Sequence, residues 1–166
     1  MSDTRFTYVT YIRTTPEALW RALTEASTLR RYHGDTGPES DWRVGSPVLW
    51  KMGPHLEYRD YGQVVLAVES ARRLAYSWHN YEPEIAEMFG WDDERLAALR
   101  RERISKVSFT LEAAGEVVAL RLLHDDFEPG SEMLKGVSEG WPMILSNLKT
   151  LLETGETLPF PEDADE

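Results

Sequence analysis

The chain has 166 residues, a length suited to a single hydrophobic core, and its 42% hydrophobic content with 6 Trp and 7 Tyr excludes an intrinsically disordered polymer. Lys and Arg total 18 against 29 Asp and Glu, and a net charge of -11 repels nucleic-acid backbones and anionic lipid surfaces. Cysteine is absent, which excludes disulfides, thiolate metal sites and cysteine nucleophiles and makes the cytoplasm the expected location, while no signal-like N-terminus and no run of about 18 apolar residues points to secretion or membrane spanning.

Residues 5–13 are β-branched and aromatic almost throughout, which predicts a strand with Phe6, Tyr8 and Ile12 on one face and Val9 and Tyr11 on the other. Thr14 and Glu17 have capping-box spacing around Pro16, so a helix starts there and yields near Ser27 to a second short helix ending around Tyr32. His33 to Asp41 reads as loop. Strand-like segments follow at Trp42–Val44, Pro47–Lys51, Glu57–Val68 and Arg73–His79, the last alternating Leu74, Tyr76 and Trp78 with Ala75, Ser77 and His79. The rhythm then breaks into a helical insertion over about residues 81–103, with one or two turns at Glu84–Phe89 and a helix capped by Asp92 that runs to Arg101. Lys106–Glu112 and Glu116–His124 are strands joined by a hairpin at Ala113-Ala114-Gly115. From Ser131 the period becomes helical, with Leu134, Val137, Trp141, Ile144, Leu145, Leu148, Leu151 and Leu152 on one stripe; Gly155 ends this element, and Pro142 is expected to kink it or disturb a turn.

This order predicts an α+β domain over residues 1–160, with a curved antiparallel sheet of about six to seven strands wrapped on a long C-terminal helix, followed by a solvated acidic tail at 161–166. Side chains alone fill the space between a curved sheet and a straight helix poorly, so a pocket is expected there.

Tyr11-Ile12-Arg13-Thr14-Thr15-Pro16-Glu17-Ala18-Leu19-Trp20 resembles the strand-to-helix opening of the SRPBCC superfamily, which includes START and birch-pollen-allergen-like proteins. Asp41-Trp42-Arg43-Val44-Gly45 is similar to its short edge strand and turn, and Gly140-Trp141-Pro142-Met143-Ile144-Leu145 resembles the C-terminal helix of the branch related to activators of the ninety-kilodalton heat-shock-protein ATPase. The resemblance covers residues 5–155 and implies a helix-grip fold. It also leaves open carriers of hydrophobic ligands, aromatase- or cyclase-like enzymes acting on polyketide-type substrates, and co-chaperone modules with a chaperone partner.

Trp50, Tyr58, Tyr76, Trp78, Phe109 and Trp141 are the residues expected to line a ligand cavity, because they sit on strands or on the helix that faces them. Among the histidines His33, His55, His79 and His124, none pairs at metal-ligand spacing, so no metal and no cofactor is expected. His79 and His124 end apolar strands and are the candidate acids or bases, with Glu57 or Asp60 as partners; no Gly-x-Ser-x-Gly elbow supports serine chemistry. Ile85, Met88, Phe89 and Trp91, beside Asp92 and Asp93, suit a lid over the pocket, a patch pairing two subunits, or equally a decorated loop that packs its own rings. The expected partner is a small hydrophobic molecule, and the acidic surface is compatible with a monomer or a homodimer.

Overall fold

The structure is a computed structural model in which residues 3–53 and 55–159 are described; the expected acidic tail and the Met88 side chain lie outside the described set. β1 (Phe6–Ile12) leads into α1 (Pro16–Thr24) and α2 (Ala26–Tyr32). The cap of α1 is Thr15, not Thr14: its hydroxyl accepts from the Ala18 N–H at 3.1 Å. Pro16 takes the first helical position, which fixes the cap one residue before it.

The segment read as loop from His33 to Asp41 contains β2 (Gly37–Glu39), which pairs with β3 (Pro47–Lys51). The strand expected at Trp42–Val44 does not form. Trp42 adopts a φ of 57°, and its indole N–H donates to the Thr24 carbonyl at 2.7 Å, so a tertiary hydrogen bond holds this stretch as a turn against its local preference. β4 (Arg59–Glu69) and β5 (Arg73–Ser77) precede α3 (Pro83–Phe89) and α4 (Asp93–Arg100), the helical insertion. Asp92 caps α4 as expected, accepting from the Arg95 N–H at 2.8 Å.

β6 (Lys106–Ala114) and β7 (Val117–Asp125) form a hairpin whose final pair, Ala114 and Val117, leaves only Gly115 and Glu116 in the turn. Gly115 takes the left-handed φ of 68° that such a turn requires. α5 (Glu132–Thr154) closes the fold, capped by Ser131 and ended at Gly155 with φ 83°. The helix runs unbroken through Pro142, which supplies no N–H for the Ser138 carbonyl one turn back.

The seven strands of the described residues join one antiparallel sheet in the order β1-β7-β6-β5-β4-β3-β2. Register shifts between Pro47 and Leu49 and between Val65 and Ala67 mark where β3 and β4 bend. The sheet curls, and its concave face presents Val48, Trp50, Val65, Leu74, Tyr76, Val107, Phe109, Leu120 and Leu122 to the buried stripe of α5, Met133, Leu134, Trp141, Leu145, Leu148 and Leu151. The fold is therefore α+β and of the helix-grip type. Among the described residues no helix is long and apolar enough to cross a membrane.

Asn147 fastens this helix at its far end. Its amide, buried at 4% exposure, donates to the Tyr32 carbonyl at 3.2 Å and accepts from the Leu158 N–H at 2.7 Å. Tyr32 in turn donates its hydroxyl to the Ala22 carbonyl at 2.7 Å, so α1, α2, α5 and the segment after α5 share one buried polar chain.

Candidate functional site

The residues that follow β5 reach the end of α5 nearest the insertion. There Trp78, His79, Trp50, Tyr81, Phe89, Trp91 and Trp141 surround a cavity of about 470 Å³, completed by His33, Thr36 and the α5 residues Met133, Gly136, Val137, Glu139, Gly140 and Ile144. The ring packing is continuous: Trp78 lies 4.8 Å from Trp50, 4.6 Å from His79 and 5.6 Å from Trp141, centroid to centroid. On the insertion side Trp91 packs edge-on to Tyr81 at 4.9 Å and stacks with Phe89 at 5.3 Å. Arg95 stands over the Trp91 ring, 5.2 Å from its centroid. Phe89 remains 62% exposed at the mouth.

Two glycines of α5 leave room for the cavity. A Cβ on Gly140 would meet nothing within 4 Å, and one on Gly136 would meet only the Tyr81 hydroxyl at 3.6 Å. Neither has the left-handed φ that favours glycine, so in a helix they cost stability that larger residues would recover, and the space is what they supply.

The two histidines expected at strand ends do different work. His124 is fully buried and has both nitrogens engaged: Trp141 donates its indole N–H to Nδ1 at 3.0 Å, and Nε2 lies 2.9 Å from the Ser105 hydroxyl. Because an indole only donates, Nδ1 is the acceptor and the proton sits on Nε2, directed to Ser105. Burial, and secondarily the nearby His79, push its pKa down to about 3. His124 thus anchors Trp141 and has no nitrogen left for a substrate.

His79 keeps one. Gln63, with no exposed surface, donates its amide N–H to the Ser77 carbonyl at 3.1 Å, which turns its Oε1 towards His79 Nδ1 at 3.0 Å. The imidazole proton is held on Nδ1, and the Nε2 lone pair has no hydrogen bond among the described residues. Burial lowers its pKa to about 3, and burial lowers that of His33, which packs edge-on to Trp50 and Trp141, to about 4. Both are neutral near pH 7. In the same wall the buried indole N–H of Trp78 finds no acceptor among the described residues.

Of the residues expected to line a pocket, Trp50, Trp78 and Trp141 do so, while Tyr76 and Phe109 lie behind them in the core, where burial raises the Tyr76 pKa. Tyr58 stands apart: its hydroxyl accepts from the Arg30 guanidinium at 2.8 Å, beside a separate depression formed by His55, Leu56, Glu57, Arg59 and Tyr61. Neither Glu57 nor Asp60 faces His79 or His124 across a hydrogen bond; Asp60 accepts from the Gly62 N–H. Of the expected lid residues, Phe89 and Trp91 line the mouth, whereas Ile85 is buried. Sequence reasoning missed His33, Gln63 and the two glycines. The Gly136/Gly140 spacing of four on one helix face was a visible signal; the role of Gln63 had none.

The sequence profile of the family described as "Activator of Hsp90 ATPase homolog 1-like protein" matches residues 13–153. No curated protein matches the chain. Among solved structures, protein MLL2253 from Mesorhizobium loti is similar at 27% identity and a TM-score of 0.65, over 89% of this chain and 96% of its own. The Aha1 dimer from Colwellia psychrerythraea is similar at 18% identity and a TM-score of 0.66, over 92% and 98% respectively. PFC0360w, an HSP90 activator from Plasmodium falciparum, is similar at 19% identity and a TM-score of 0.63, over 90% and 96%. With the match spanning most of its length and the fold shared, the chain belongs to the family of activator of Hsp90 ATPase homolog 1-like proteins.

Proposed function

We propose that this protein binds a small hydrophobic or aromatic molecule in the cavity between β5, the α3–α4 insertion and α5. The carrying observation is the lining of this open cleft of about 470 Å³: aromatic rings on its floor and at its mouth, and the lone pair of one oriented, neutral imidazole. Proton transfer is less well supported, because a base whose conjugate acid has a pKa near 3 draws a proton from a substrate poorly at neutral pH.

The test is native mass spectrometry of the purified protein, then tryptophan fluorescence against fatty acids, flavonoids and polyketide-like aromatics. Saturable binding is expected, and Gly140→Leu or Ile144→Trp, each placing bulk in the cavity, should remove it while the circular-dichroism spectrum is kept. Binding that survives both variants overturns the reading. Family membership carries a second reading, contact with a heat-shock chaperone; it predicts enrichment of that chaperone in a pull-down, with no effect of the cavity-filling variants.

A further inference from the structure

We infer that the cavity selects a hydrophobic organic cation, a protonated or quaternary amine carried on an apolar body. This rests on the binding reading above and adds the charge of the ligand.

Six of the described lining residues are Trp, Tyr or Phe: Trp50, Trp78, Trp141, Tyr81, Phe89 and Trp91. A ring face carries negative quadrupole density that attracts a positive group; Tyr81, Phe89 and Trp91 stand at the open mouth, while Trp50, Trp78 and Trp141 form the packed floor beneath them. The protein already uses this attraction at the mouth, where the Arg95 guanidinium covers Trp91.

The ionisable groups point the same way. Among the described lining residues there is no Lys and no Arg, and the one carboxylate is Glu139 on α5. His33 and His79 are neutral, so neither repels a cation, and the Nε2 lone pair of His79 can accept an ammonium N–H. The cation at the mouth is Arg95, its guanidinium engaged with the Trp91 ring, so a carboxylate held deeper in the site would meet no cation among the described lining residues, and Glu139 and the net charge of -11 would oppose its entry while drawing cations in. The cavity therefore discriminates against fatty-acid anions of suitable size.

The experiment measures affinities of three probes of one shape, in about 150 mM salt to suppress diffuse surface attraction. They are naphthylmethyl-trimethylammonium, its neutral carbon isostere neopentylnaphthalene, and naphthylacetate. Tryptophan fluorescence is titrated on the intact protein, on Gly140→Leu and on Glu139→Gln. The ammonium probe is expected to bind at least about tenfold more tightly than the neutral isostere, with the anion weakest. Gly140→Leu should abolish all binding, and Glu139→Gln should weaken only the cation, by about two- to fivefold. If the neutral probe binds as tightly as the cation and Gly140→Leu abolishes both, the charge selection is overturned and the cavity reading stands. If no probe binds, or binding persists in Gly140→Leu, both fall.

Discussion

Acidification should destabilise this protein through its buried imidazoles before its carboxylates protonate. In the unfolded chain a histidine takes up a proton near pH 6.5, whereas His79 and His124 in the folded state do so only near pH 3. Between those values the unfolded state holds more protons, so stability falls as pH falls. At pH 5 each group costs about 2 kcal/mol relative to pH 7.5, about 4 kcal/mol for the pair, a large share of the roughly 5–15 kcal/mol that holds a typical domain. His33, held down to about 4, adds in the same sense. Asp41 and Glu153 have pKa values lowered by their hydrogen bonds, so their stabilising contributions are lost only below about pH 5 and do not confuse this window. Urea titrations followed by tryptophan fluorescence should place the midpoint at pH 5 about 2 M below that at pH 7.5, with a slope of about 2 kcal/mol per molar. A midpoint that stays constant across this range would refute the assignment of His79 and His124 as buried, neutral groups.

Trp141→Phe removes the donor to His124 Nδ1 and leaves a buried acceptor unsatisfied beside a new void, so a loss of about 2–4 kcal/mol is expected in chemical denaturation. Asn147→Ala strips the partners from the Tyr32 carbonyl and the Leu158 N–H together and should cost about 2–3 kcal/mol; hydrogen exchange should show the segment after α5 opening first. Gly140→Ala restores helix propensity without meeting any neighbour, and its melting temperature should rise by about 2–4 °C, with ligand affinity reduced less than by Gly140→Leu.

The order of elements was readable because each carries its own period: two for the β6–β7 hairpin, near 3.6 for α5, with glycines at Gly115 and Gly155 where left-handed backbone is needed. β2 was not readable, since three residues beginning Gly-Pro carry no alternation, and they extend only because β3 offers hydrogen bonds. Trp42 misled for the opposite reason: its aromatic character suits a strand, but its indole N–H is claimed by the Thr24 carbonyl eighteen residues earlier. The site divides similarly. Trp50, Trp78 and Trp141 were legible because alternation or helical spacing aims them inward, whereas the contrast between His79 and His124 depends on Gln63, Ser105 and Trp141, long-range partners that no local pattern encodes.

The place of β1 in the sheet has a consequence for synthesis on the ribosome. β1 is made before the other six strands of this sheet, yet among the described residues its partner is β7, where Phe6 lies opposite His124, more than a hundred residues downstream. At roughly 5–20 residues per second, the partner strand is translated about 6–24 s later. During that interval the segment Phe6–Ile12 is an unpaired, aromatic-rich strand, open to capture by other chains, and a holdase that shields nascent strands should raise the soluble yield.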